Sequence, residues 1–420
     1  MKTPSLCLLG AGLLLLALTP SAGQEVAYVG IPPGFDFPAG EAELLAAVES
    51  GNETRLREHG WKVFAGLTQP ARPQEANSEA IWETWYTGAE TFASGPTPQG
   101  ARSLKKELRL PRQFRPADGG PMPQAVGESQ LAFTLFNHEL RKHTRETGLT
   151  SKARLTAINN RWTNQTPVAD RKVKDYPREA MSLKLVWLTV SKEGMSSLPI
   201  WDEQPIVAQA PAQDTDTWKR VVVVDPARET IPAGETAMGR WDNEDFPDSR
   251  VVPLKHFYHF AMTAAQAAPL GREAGDFAVL VGMHYTTREI PNWVWATFWW
   301  HDQPNDGRFA AGRLGDNELK GVWRHFLMDV AYDMDKPVES NGTPNAVFNP
   351  WLEAGFINGV NSNCMSCHQR AMWPMPPPRP PENRPWLPIT RGPADPDDAL
   401  FRTRTKLDFL WSLALETPAR

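Results

Sequence analysis

Phe277-Ala278-Val279-Leu280-Val281-Gly282-Met283-His284-Tyr285 and, after Thr286 to Asn292, Trp293-Val294-Trp295-Ala296-Thr297-Phe298-Trp299-Trp300 decide the fold. Both runs are short and dense in β-branched and aromatic residues, which marks strands, and the connector suits a hairpin. Working outward, Leu183 to Val190 reads as another strand, as does Phe257 to Phe260. Val221 to Val224, a run of four valines, reads as a buried strand. Residues 181–302 are therefore expected to form a mainly antiparallel sheet. The chain's 17 tryptophans call for a large core, and its 39 prolines call for many short elements, because proline interrupts helices and central strands.

Upstream the pattern is helical. Glu41 to Ser50 reads as a short helix ended by Gly51, and Asn52 caps a second one carrying Leu56, Val63, Phe64 and Leu67. Residues 91–127 read as a proline-rich loop with a basic run from Arg102 to Arg115. Glu128 to Glu146 is expected to be a helix with Leu131, Leu135 and Leu140 inward, and Ser151 caps another helix to about Trp162. Downstream, Leu319 to Val330, a short stretch opened by Pro350, and Leu400 to Leu415 are expected helices. The expected class is α+β: a mainly antiparallel central β domain, N-terminal helices, and a C-terminal helical and loop segment. Four regions follow: 1–23, 24–180, 181–310 and 311–420.

The last region contains Asn363-Cys364-Met365-Ser366-Cys367-His368-Gln369. This Cys-x-x-Cys-His pattern is the attachment site for haem c. The two thiols would bond the haem vinyl groups, and His368 would meet the iron as the proximal ligand. One covalent haem c per chain is therefore expected on Cys364, Cys367 and His368. A thioredoxin-like pair has no need of His368, a structural zinc site needs a fourth ligand, and a plain disulfide is the bland alternative.

The chain start agrees with that chemistry. Lys2 precedes an apolar run from Leu6 to Leu18, followed by Ser21, Ala22 and Gly23. This is the form of a signal peptide cleaved after Gly23, so periplasmic export is expected, with no membrane span after cleavage. Cys7 would leave with it, and the remaining cysteines would both be used by haem. The formal net charge of −5 becomes −6 when Lys2 is lost, which argues against nucleic acid as a partner. A simple haem carrier needs only on the order of a hundred residues, so most of this chain has other work.

The iron's other face decides function: a sixth ligand makes an electron carrier, and an open position allows oxygen or peroxide chemistry. Downstream of His368 the only methionines are Met372 and Met375. Met372 lies too near on the proximal side, so Met375 is the distal candidate there. Upstream candidates are Met334, His284, His301, His256, His259, and the pair His325 and Met328 on an expected helix face. His138 and His143 resemble a zincin pair but are one residue too far apart, so they diverge round a helix. Arg370 and Arg379 are candidate partners for haem propionates.

The chain resembles a group of secreted bacterial cytochrome c family proteins. The resemblance rests on Trp61 to Pro70 with Ile81 to Trp85, Glu179 to Lys184, Val281 to His284, Pro291 to Phe298, and Asn363 to His368. It implies covalent haem and secretion, and supplies no reaction. Where the group carries a Glu-His pair after Trp-Ala-Thr-Phe, this chain has Trp299, Trp300 and then His301. A one-residue displacement in a strand reverses the face. The leading expectation is a monohaem c-type cytochrome passing one electron to a redox partner protein. The alternatives are a peroxidase- or oxygenase-type haem enzyme with an open distal site, and a haem-based sensor.

Overall fold

The computed structural model describes residues 27–75, 78–92, 130–203, 210, 212–336, 338, 345–376, 392–395 and 398–418. Residues 1–23, read as a signal peptide, the basic run from Arg102 to Arg115 and Arg379 lie outside them. The fold is α+β, with a mainly antiparallel sheet at its centre. Thirteen strands are described: β1 (Tyr86–Thr87), β2 (Leu131–Phe136), β3 (Met181–Val190), β4 (Ser196–Ile200), β5 (Arg220–Asp225), β6 (Thr236–Trp241), β7 (Glu244–Pro253), β8 (His259–Ala261), β9 (Phe277–Thr287), β10 (Val294–Trp300), β11 (Phe326–Ala331), β12 (Met372–Trp373) and β13 (Thr405–Lys406). The helices are α1 (Glu41–Glu49), α2 (Glu53–Leu67), α3 (Gly88–Phe92), α4 (His138–Glu146), α5 (Lys152–Asn159), α6 (Ala264–Ala267), α7 (Cys364–His368) and α8 (Trp411–Leu415).

The main sheet has the order β1-β2-β3-β9-β10-β11, with β8 also on β9. The β9–β10 hairpin is its centre, as the sequence predicts. The second sheet, β4-β5-β7-β6, holds the valine strand β5, which pairs in parallel with β7.

Two expected helices are strands. Leu131–Phe136 pairs with β3, and the chain turns helical only after Asn137, whose side chain accepts from Leu140 N at 3.0 Å. Phe326–Ala331 pairs with β10 after a 3-10 turn over Gly321–His325. Short apolar runs do not distinguish helix from strand by periodicity, and an open sheet edge supplied the partner. The stretch after Pro350 is a series of turns, and Leu400 to Leu415 contains β13 and the short α8 rather than one helix. The main sheet thus takes strands from 24–180, 181–310 and 311–420 alike.

Register divides the sheet into two unlike faces. On one, Leu135, Leu183, Tyr285, Ala296 and Val330 form a row, with Phe133, Leu185, Met283, Phe298 and Met328 beside it. Helix α2 covers this apolar face. Phe64 stacks on Phe298 at 4.0 Å between centroids, and Trp61 meets the same ring edge-on. Gly60 allows that approach, since a Cβ there would lie 2.7 Å from Val330 Cγ1. The other face carries a polar row: Thr134, Lys184, His284, Thr297 and Asp329. Trp295 and Phe136 flank it on one side, Gly282 and Trp299 on the other.

Gly282 lets the segment before α7 close over the sheet. A Cβ there would stand 3.2 Å from Trp351 Cδ1 and 3.3 Å from both Asn349 Oδ1 and Val186 Cβ. Gly282→Val is expected to lower stability by about 1–3 kcal/mol through overpacking, read by denaturant unfolding. An unchanged midpoint would show that the segment yields freely.

Candidate functional site

Helix α7 is one short turn held at both ends. Asn363 caps it by accepting from Met365 N at 2.9 Å. Cys364 N donates to Val347 O at 3.0 Å, and Val347 N to Ser362 O at 2.9 Å, tying its start to the preceding loop. Cys364 and Cys367 stand three apart and so share a face. Both are free thiols. Burial pushes both thiols well up, Cys367 to about 12, with the nearby Glu353 adding to each. Neither is the exposed, lowered-pKa thiol of a redox catalyst. Among the described residues, no three His, Cys, Asp or Glu side chains converge to hold a metal ion by themselves.

His368 is oriented by the chain end. Its Nδ1 lies 2.8 Å from Phe409 O and so carries the proton, which leaves Nε2 as the ring's acceptor. Burial holds this imidazole neutral, lowered to about 4. The Trp295 ring lies 4.2 Å from it, centroid to centroid, and Trp411 Nε1 donates to Cys367 O at 3.3 Å. Phe409 reaches His368 because β12 pairs with β13, and Leu407 N donates to Ala371 O at 2.9 Å. Asp408 and Phe409 then take positive φ, 47° and 65°. Asp408 is anchored there: it accepts from Tyr176 N at 2.9 Å and Trp293 Nε1 at 3.2 Å, with Arg288 Nε 3.5 Å away.

Six half-buried side chains gather beside α7 and border one space: Glu353 acts on Lys184 and on the thiols of Cys364 and Cys367, and Lys184 acts on His284 and His368. Lys184 and Glu353 interact within it. Burial pushes the lysine down and the carboxyl up, and each partner's charge opposes that. Glu353 Oε2 accepts from Asn349 N at 2.7 Å, and Asn349 Nδ2 donates to Thr297 Oγ1 at 2.8 Å. The polar row of the sheet is thereby stitched to the loop that carries Glu353.

Among the residues singled out in the sequence, His284 faces this space. Met328 points to the opposite face of the sheet, under α2, so the expected His325–Met328 helix pair does not exist. His325 stacks on His256 at 4.5 Å, and His259 Nδ1 bonds Phe257 O at 2.8 Å. His301 lies 3.3 Å from Asp202 and 3.1 Å from Arg220, against the second sheet. His138 and His143 diverge, the first beside Tyr28 and the second beside Tyr176. Met334 and Met372 are buried, and Met334 and Met375 belong to the apolar cluster of Trp293, Trp295 and Met365. Arg370 is buried and donates to Ser366 O. Lys184, Glu353 and Asp408 were not singled out. A lysine amid the apolar run Met181 to Val190 was a legible signal; the other two had none.

No family model matches the chain, and neither a curated protein nor a solved structure matches it. The site is read from its own chemistry.

Asp408→Ala is expected to cost roughly 2–4 kcal/mol, because it leaves the Tyr176 N and Trp293 Nε1 donors unpaired and removes one of the two carboxylates beside Arg288. Denaturant unfolding measures this, and a cost below the error of the method would remove Asp408 from the account of Phe409. A second expectation concerns acid. His325 is lowered to about 4 by burial first, then by His256, Arg313 and Arg250, against Asp302. Between that value and the ordinary 6.5, the unfolded chain binds a proton that the folded chain does not, so stability rises with pH there. Melting temperature should climb over this window, and His325→Gln should flatten the climb. An identical slope in both proteins would place its origin elsewhere.

Proposed function

We propose that this protein is a secreted, periplasmic monohaem c-type cytochrome that exchanges single electrons with a protein partner. The arrangement about His368 carries the reading. Its Nδ1 is committed to a backbone carbonyl, its Nε2 is left to meet an iron, and two neutral thiols stand on the adjacent turn. These residues fit haem c: Cys364 and Cys367 would hold the vinyl edge, and His368 would be the axial ligand. The haem supplies a one-electron couple when bound.

The protein's own part is to orient and enclose. The Phe409 carbonyl fixes the ring of His368 and raises its basicity as a ligand. Trp295, Trp293 and Trp411 belong to the apolar cluster against which Cys364 packs, and they would keep water from a bound haem. The segments that carry the cytochrome resemblance, Val281 to His284 and Pro291 to Phe298, are the hairpin that faces α7. Among the described residues, no helix is long and apolar enough to cross a membrane.

A second reading has one observation in its favour. Lys184, Glu353 and His284 beside the candidate haem space are groups of the kind that move protons. It would make the chain an enzyme of peroxidase or oxygenase type with an open distal side.

The test is a pyridine haemochrome of the protein made with haem c maturation. One c-type haem per chain is expected, and Cys364→Ala with Cys367→Ala should abolish covalent attachment. Covalent haem surviving the double substitution, or none in the parent, would end the reading. Ferrous protein that resists carbon monoxide favours the carrier, and ready binding favours the enzyme.

A further inference from the structure

We infer that His284 is the second axial ligand of the haem iron, closing the site opposite His368. The inference rests on the haem c reading above and decides which of its two forms holds.

Register makes the first part of the argument. His284 lies opposite Thr297 on β10, and Trp295 lies opposite Thr286. His284 and Trp295 are therefore diagonal neighbours on one face of the hairpin. The Trp295 ring is against the ring of His368 at 4.2 Å. His284 consequently projects from the sheet toward the space that His368 borders from α7.

The second part is a ring without partners. His284 Nδ1 is shut in with no hydrogen-bond partner, and Nε2, also unbonded, is the ring nitrogen that keeps accessible surface. A buried imidazole normally finds partners for its ring nitrogens.

The third part is the fate of the other imidazoles. His59 bonds Tyr332 and Glu289 under the opposite face of the sheet. His143 and His259 bond backbone carbonyls, His138 lies against Tyr28, His256 and His325 stack together, and His301 sits with Asp202. His284 is the one that shares a space with His368. It also stands on a central strand, which fixes a ligand more firmly than a loop does. Met375 and Met334 remain competitors by type, as does Lys184 by position.

The experiment uses the haem-loaded protein. The parent should be low-spin, show no sulfur-to-iron charge-transfer band in the near infrared, and resist carbon monoxide when reduced. His284→Ala should keep one covalent haem, turn high-spin, bind carbon monoxide, and regain a low-spin spectrum with added imidazole. His284→Met should raise the midpoint potential, as sulfur ligation does. Met375→Ala, Met334→Ala and Lys184→Met should leave the low-spin spectrum in place. A sulfur band or ready carbon monoxide binding in the parent would overturn the inference, even if the His284 variants failed to fold. So would a His284→Ala protein that stays low-spin with its haem attached. All three outcomes leave the covalent haem standing, so they are separable from a failure of the haem c reading.

Discussion

The hydrogen bond from His368 Nδ1 to the Phe409 carbonyl is the constraint on which the site depends. It needs a carbonyl brought back from the chain end by about forty residues, through two successive non-glycine residues at positive φ. That backbone costs roughly 1–2 kcal/mol per residue. Asp408 offsets the cost with bonds from Tyr176 N and Trp293 Nε1 and with Arg288 beside it. Hydrogen bonds to a charged group contribute about 1.5–3 kcal/mol each. Burial still pushes the Asp408 carboxyl up, so the anchor is itself a strained one. The hairpin turn, the segment after α5 and the C-terminal strand are thus joined at one carboxylate.

The sheet sorts the rest by alternation. Its apolar face is sealed by α2, and its other face meets two apolar regions with the polar row between them. Lys184 and Glu353 are tolerable there because they lie together; a lone buried charge would cost several kcal/mol. Asn349 fixes Glu353 by its own N–H and reaches Thr297 through its side chain. Under the proposed function this strip borders the haem, where such groups set potential and proton coupling rather than stability.

The expected helices at Glu128 to Glu146 and Leu319 to Val330 show what local pattern leaves open. Leu131 and Leu135 are four apart, which suits a helix, but Phe133 between them falls on the same strand face. Both readings bury the leucines, and the edge of the sheet chose between them. Asn137 then starts α4 where the ladder stops. The caps read from the sequence, Asn52 and Ser151, accept from Arg55 N and Arg154 N as expected, because a cap is a contact between residues three apart or fewer.

The sequence by itself determined whatever is local. It placed two thiols and an imidazole within five residues, paired β9 with β10 through a short connector, and started α2 and α5 at their caps. Each of these depends on neighbours within a few residues, whose geometry the backbone sets. Only the tertiary structure decided that Phe409 meets His368, that Lys184 lies near Glu353, and that His284 rather than Met283 faces α7. Those relations join residues far apart in the chain, and in a strand a shift of one residue exchanges the faces. The register that assigns each side chain to its face is set by packing of the whole sheet, which no single stretch contains.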